Sequence, residues 1–261
     1  PSRSPDSTKD WRQSASSCRS GVPDRLAVGG QAVSGPTEDS FHSVVKDADT
    51  ARGRLVPYRD SIHRTIIDLL PQPKDDSPLR VLDLGPGTGL LAERILAADE
   101  TAELTLVDFS EAVVASVRSR LEPYGPRVTV TSGDYVHMTY DGPYDGIIAE
   151  LSVHHLNPKS IRTLLSASYA ALRRGGGMFI NADQVRGETD CVEDRHLDAW
   201  RRDALHLGAP EGEIDEAIDM HRDGRPPTLG AIMQNLSDDG FEDVRCDYKQ
   251  WCFAVISGAK I

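Results

Sequence analysis

Val81-Leu82-Asp83-Leu84-Gly85-Pro86-Gly87-Thr88-Gly89 decides the fold of this chain. An apolar strand runs into a loop with glycine at alternate positions, and Leu90–Ala97 then carries helical spacing. Glycine lets the backbone approach a ligand closely and take positive φ. The N-terminus of the following helix adds unpaired N–H donors. A dinucleotide or a nucleoside cofactor can use such a turn. The dinucleotide pattern is GxGxxG. Here the third glycine comes one position early, at Gly89, and Leu90 stands where the dinucleotide pattern needs glycine. Asp83 adds a carboxylate, awkward beside a pyrophosphate and well suited to a ligand bearing ammonium and sulfonium groups.

Working outward, strands and helices alternate on both sides of this loop. Upstream, Pro57 fits the first turn of a helix, and Ile62, Ile66, Leu69 and Leu70 form one apolar stripe until Pro71-Gln72-Pro73 ends it. Downstream, Leu104–Val107, Val128–Thr131, Tyr144–Ala149 and Met178–Asn181 read as strands. Ser110 caps a helix carrying Val113, Val114, Val117 and Leu121. Asn157-Pro158 starts another, and Gly175 follows its end. Residues 184–240 interrupt the rhythm with three helical stripes: Leu197, Trp200 and Ala204; then Ile214, Ala217 and Ile218; then Leu229 to Leu236 after a Thr228 cap. Asp243–Tyr248 and Trp251–Ser257 are joined by so few residues that they must run antiparallel. The expected fold is α/β: a mainly parallel, seven-stranded, doubly wound sheet with an antiparallel C-terminal hairpin strand and a helical lid insert. Residues 1–38, rich in Ser, Pro, Gly and Arg, read as a flexible tail. Residues 39–261 read as one domain, with the lid at about 184–240.

The loop and the segments after it resemble the class I S-adenosylmethionine-dependent methyltransferases, whose first motif is a strand followed by DxGxGxG. The resemblance covers roughly residues 55–261 and is strongest over 79–182. It implies S-adenosylmethionine as cofactor, held at the glycine loop by Asp83, Gly85, Pro86, Gly87 and Gly89. Asp108, 19 positions past Gly89, stands where the family grips both ribose hydroxyls; two carboxylate oxygens match a vicinal diol. Phe109 and Ser110 follow it. Gly133-Asp134 matches a pair after the third strand, which puts the Asp134 side chain at the adenine amino group. Tyr135 or Phe109 is then placed to pack on the adenine face. Glu150 and Leu151, after the fourth strand, fall near the methionine end.

Methyl transfer from a sulfonium is an in-line displacement, so most of the catalysis is positioning. A base is needed only where the nucleophile must lose a proton. The candidates are Glu150, His154 and His155, histidine having a suitable pKa. Two adjacent histidines do not make a metal site, and none is expected. His137 is a weaker candidate. No Asn/Asp-Pro-Pro-Tyr/Phe sequence follows the fourth strand, which disfavours adenine and amide acceptors. The lid, with the helix ahead of the glycine loop, is expected to roof an acceptor pocket. Trp200, Met220, His221, Met233, Arg54 and Tyr58 are candidates to line it, and Asp183-Gln184 can supply polar contacts. The acidic lid suits a small or cationic acceptor.

Composition sets the remaining bounds. The chain has 261 residues, 39% apolar and 27% charged, with a formal net charge of −12. That charge argues against a broad nucleic-acid footprint. Cys18, Cys191, Cys246 and Cys252 show no CxxC spacing, so neither zinc site nor disulfide framework is expected. No apolar run approaches the roughly 18 residues needed to span a bilayer, and no signal-peptide core is visible. A soluble, cytoplasmic enzyme acting on a small-molecule acceptor is the expectation, with a homodimer through the hairpin edge or the N-terminal arm as an open alternative. The competing readings are a tRNA-modifying or cofactor-modifying S-adenosylmethionine enzyme, an NAD-dependent oxidoreductase, and a non-catalytic cofactor-binding protein. The Gly89–Leu90 spacing weighs against NAD.

Overall fold

The computed structural model describes residues 49–73 and 77–261. The expected tail over 1–38 lies outside them. Seven strands form one sheet: β1 (Arg80–Leu84), β2 (Glu103–Asp108), β3 (Val128–Ser132), β4 (Gly146–Glu150), β5 (Gly177–Gln184), β6 (Glu242–Gln250) and β7 (Phe253–Lys260). Their order is β3-β2-β1-β4-β5-β7-β6. The first five pair in parallel, and β7 runs antiparallel to both β5 and β6. The tight turn at Trp251 enforces that reversal, as expected from its length. Strand β5 runs three residues beyond the expected Asn181, because β7 pairs with it all the way to Gln184↔Phe253.

The helices are α1 (Arg59–Leu69), α2 (Leu90–Ala98), α3 (Glu111–Leu121), α4 (Pro158–Ala171), α5 (Asp190–His206), α6 (Glu211–Gly224) and α7 (Leu229–Asp238). A helical segment over residues 49–55 precedes α1. Local chemistry sets the starts. Ser110 Oγ accepts the Val113 N–H, Asn157 Oδ1 accepts from Lys159 and Ser160, and Thr228 Oγ1 accepts from Ala231. The two sheet faces each bury an apolar layer. Ile66, Ile95, Val117 and Trp200 belong to one, Leu164, Phe179 and Leu236 to the other. Strand β1 lies between β2 and β4, where the strand order reverses. Crevices at such reversals, beyond the carboxyl ends of the strands, are where open α/β sheets bind ligands. Among the described residues no helix is long and apolar enough to cross a membrane.

Candidate active site

The glycine loop leaves β1 with Gly85 at φ 77° and Gly87 at φ 56°. Positive φ disfavours a side chain at both positions. A Cβ on Gly85 would lie 2.7 Å from Ser152 Cβ, and one on Gly87 would lie 2.5 Å from Arg52 Nη1. The loop is tied down at both ends. Gly85 N–H donates to Val107 O at 2.9 Å, and Gly89 N–H donates to Pro86 O at 2.9 Å before α2 begins. Residues 49–55 lie against it. Asp49 accepts from Thr88 and Arg120 and pairs with Arg59 at 3.5 Å. Burial raises the Asp49 carboxyl, but the Arg120 and Thr88 bonds and the two guanidinium charges outweigh it and hold the carboxyl low. Arg52 makes no hydrogen bond or ion pair that competes for its guanidinium among the described residues.

Asp83 is 1% exposed, and neither carboxylate oxygen has a hydrogen-bond partner among the described residues. Burial pushes its carboxyl well above the ordinary range, and the charges of Glu150 and Asp108 add to this. A buried carboxylate in that position requires either a proton or a cationic partner. The ammonium of a methionine-type cofactor supplies the second. Asp108 ends β2 at 8% exposure, its Oδ1 accepting the Ser110 N–H at 2.9 Å. Burial raises this carboxyl, against the N–H groups of Ser110 and Phe109. Phe109 is 75% exposed, an open apolar face beside Asp108. The residues present therefore fit a nucleoside sulfonium: an unpaired buried acid, a diol-matched carboxylate and an exposed ring surround a glycine cradle.

Other expected contacts are placed differently. Asp134 sits at the rim, accepting from Val136 N at 2.9 Å and facing His137 Nδ1 at 2.7 Å. Tyr135 is buried, and its hydroxyl donates to Ser152 O at 3.3 Å. It braces the floor beneath Gly85, which leaves Phe109 as the exposed aromatic. Glu150 faces α1: His63 Nε2 lies 2.9 Å from its Oε1 and Arg59 Nε 3.9 Å. Burial raises its carboxyl, but the His63 hydrogen bond and the charges of His63 and Arg59 bring it below the ordinary value. Leu151 turns the chain at φ 53°, a left-handed conformation, with its N–H on Ala182 O. Such a conformation costs about 1–2 kcal/mol in a non-glycine residue, and it swings the following histidines off the β4 axis.

A cavity of about 850 Å³ opens beyond Leu151. His154 and His155 reach it, their ring centroids 3.8 Å apart; Glu150 does not line it. His154 Nδ1 is hydrogen-bonded to Asp183, whose Oδ2 also accepts the His154 backbone N–H at 2.9 Å. Asp183 is 3% exposed at the end of β5. Burial and the neighbouring His154 lower the pKa of His155. Of the lid candidates, Trp200, Met220 and His221 line the cavity, while Tyr58 is drawn to Asp203 and Met233 packs against the apolar layer that holds Leu236; Arg54 does not line it. His221 holds Gln184 Oε1 at 2.8 Å through Nδ1 and Glu193 Oε1 at 2.7 Å through Nε2. Among the described residues no acidic side chain lines this cavity. Three of the lid's carboxylates pair with its arginines, Asp194 with Arg222, Asp203 with Arg202 and Asp215 with Arg201.

Sequence reasoning overlooked Asp49 and Arg52. They precede the glycine loop in a stretch with no motif, and only the fold brings them onto it. It also left the Asp183–His154 pairing unread, although both residues were singled out.

A family model described as a methyltransferase domain matches residues 81–176. The chain is 22% identical over 229 residues to a carboxy-S-adenosyl-L-methionine synthase from Nautilia profundicola, covering 86% of this chain and 97% of that one. Among solved structures it resembles an O-methyltransferase family 2 protein from Planctomyces limnophilus in complex with apigenin (TM-score 0.58, 16% identity, 87% of this chain and 62% of that one). It also resembles a phosphoethanolamine N-methyltransferase from Haemonchus contortus in complex with S-adenosyl-L-methionine (TM-score 0.53, 18% identity, 70% of this chain and 37% of that one). The chain thus spans less than two thirds of either solved protein. Residues 81–176 match a methyltransferase domain, the fold is that of the methyltransferases it resembles, and the cradle of Asp83, Gly85, Gly87 and Asp108 fits S-adenosylmethionine.

Proposed function

We propose that this methyltransferase acts on a nucleophilic oxygen or nitrogen of a small molecule held in the cavity beneath the lid, with His154 as general base. The observation that carries the reading is the Asp183–His154 pair. Asp183 accepts the hydrogen bond from Nδ1–H and fixes the ring, which leaves Nε2 to act as the acceptor in a cavity that Arg52, beside Gly87, also lines. Bound S-adenosylmethionine supplies a methyl group on a sulfonium, open to in-line displacement. The residues of the chain do the rest. Arg52, over Gly87, takes the cofactor carboxylate; Asp83 takes the ammonium; Asp108 accepts from the ribose hydroxyls; Phe109 and Asp134 border the adenine. His154 Nε2 removes the acceptor proton as its oxygen or nitrogen attacks. Trp200 and the lid helices exclude water. Holding the reactants in line is worth up to about 7–11 kcal/mol, and the base adds ~10²–10⁴-fold.

A second reading is favoured by one observation: the synthase relative aligns along almost its whole length. On that reading the cofactor itself is the species modified. Mass spectrometry separates the two. The protein is incubated with methyl-labelled S-adenosylmethionine and a panel of phenols, amines and hydroxy acids. Methyl transfer gives S-adenosylhomocysteine together with one labelled, methylated acceptor, and His154→Ala abolishes both while still binding S-adenosylhomocysteine. Conversion of the cofactor to a heavier nucleoside, with no methylated acceptor, would overturn the proposal in favour of the second reading.

A further inference from the structure

We infer that the acceptor is an organic acid, an apolar or aromatic body whose carboxylate is bound by Arg225 on the lid. The inference rests on the methyl-transfer reading and extends it to the class of substrate.

The cavity is cationic in a strongly acidic protein. The chain carries a formal charge of −12, yet the described lining contains Arg52 and Arg225 and no carboxylate. Asp183 and Glu193, which hold the lining residues His154 and His221, do not line it themselves. His155 and His221 have pKa values lowered by burial, so at neutral pH the permanent positive charge belongs to the two arginines. Arg52 stands at the cofactor end, over Gly87. That leaves Arg225 for the acceptor. Arg225 is an exposed residue of the cavity wall, and a guanidinium without a carboxylate beside it in the lining attracts an anion.

The backbone at Arg225 supports the assignment. The residue caps α6 in the left-handed conformation, φ 44° and ψ 61°, its N–H on His221 O at 3.1 Å. A non-glycine residue there costs about 1–2 kcal/mol, although Gly224 stands one position earlier. Pro226 and Pro227 follow and stiffen the turn. Among the described residues the Arg225 guanidinium has no hydrogen bond or ion pair to account for it. A planar fork of donors without a protein partner matches a carboxylate, which it can hold through two parallel bonds. The rest of the wall is apolar, with Leu55, Val56, Trp200, Ala217 and Met220 to cover the body of the ligand. Gln184, its side chain held by His221, adds a neutral polar contact.

The test uses the full chain loaded with S-adenosylhomocysteine and matched probes: 4-hydroxybenzoate, 4-hydroxyphenylacetate and 3-phenyllactate, each against its primary amide. Binding is followed by thermal shift and then by calorimetry. At least one acid is expected to bind more tightly than its amide, and Arg225→Gln should weaken that acid about 10- to 100-fold with the amide unchanged. Arg225→Lys, which keeps the charge and loses the fork, should fall between. Amides or amines preferred over acids, no probe bound, or acid binding unchanged in Arg225→Gln would each overturn the inference. The affinity for S-adenosylhomocysteine, measured first in the same preparations, locates a failure. A protein that binds it and does not discriminate acids sinks the acceptor class alone, whereas one that does not bind it sinks the methyltransferase reading and this inference together.

Discussion

The carboxylate of Asp183 holds both the ring Nδ1 and the backbone N–H of His154, the latter at 2.9 Å, so one buried acid fixes the imidazole and the chain that carries it. Strands β4 and β5 pair Glu150 with Ala182, which brings the two strand ends together although the residues are 29 apart in sequence. Asp183→Asn keeps the shape and removes the charge that favours the catalytic tautomer. Turnover with an acceptor that must lose a proton should fall by ~10²–10⁴-fold, with the affinity for S-adenosylhomocysteine unchanged. Steady-state kinetics alongside calorimetry checks both halves, and an equal loss of cofactor affinity would count against the assigned role.

Asp83 trades stability for binding. Its pKa is raised in the folded chain by burial and by the charges of Glu150 and Asp108. The stability contributed by the protonated form is therefore complete below the ordinary value of 3.8 and is lost as pH rises through the folded value. At neutral pH the ligand-free protein bears this cost. Asp83→Asn should raise its stability at pH 7 to 8 by about 1–3 kcal/mol, and should weaken S-adenosylhomocysteine binding by at least ~10-fold. Melting curves between pH 5 and pH 8 test the first outcome, with the gain of the variant growing as pH rises.

Glu150 has the opposite sign. Burial works against it, but the His63 hydrogen bond and the charges of His63 and Arg59 hold its pKa below 4.5. Its contribution is present above that value and is lost as pH falls through the folded value. Glu150→Gln should therefore flatten the acid limb of the stability profile below about pH 5 and lower the melting temperature at pH 7. A variant as stable as the parent at pH 7 would show that the buried pair contributes no net stability.

Arg52 reaches the loop over Gly87, whose φ of 56° favours glycine. Arg52→Gln should raise the dissociation constant for S-adenosylhomocysteine about 10-fold, and decarboxylated S-adenosylhomocysteine should bind parent and variant alike. A loss shared by both ligands would mean that Arg52 supports the loop and does not contact the carboxylate.

Much of this architecture was legible from the chain. Apolar runs located the central strands, because strands buried on both faces admit few polar residues, whereas β3 and β6 are half-exposed strands at the sheet edges. Asp83, Gly85 and Asp108 come from the motif the chain resembles, and the fold gathers them at the carboxyl ends of β1 and β2. Where side chains pack was less legible. Tyr135 or Phe109 is expected on the adenine face; the fold buries Tyr135, with its hydroxyl on Ser152 O, and leaves Phe109 exposed. The acidic lid suggested a small or cationic acceptor, but composition does not record which way a carboxylate faces, and the described lining of the cavity has none. Asp49 and Arg52 reach the glycine loop through tertiary contact alone, so no local pattern announces them.

Calorimetric titration of S-adenosylhomocysteine and NADH against the parent chain and Asp108→Ala tests the central claim most directly. The parent should bind S-adenosylhomocysteine and ignore NADH. The variant, having lost the acceptor for both ribose hydroxyls, should bind at least ~100-fold more weakly. Binding of NADH in place of S-adenosylhomocysteine, or an unchanged affinity in Asp108→Ala, would contradict the account.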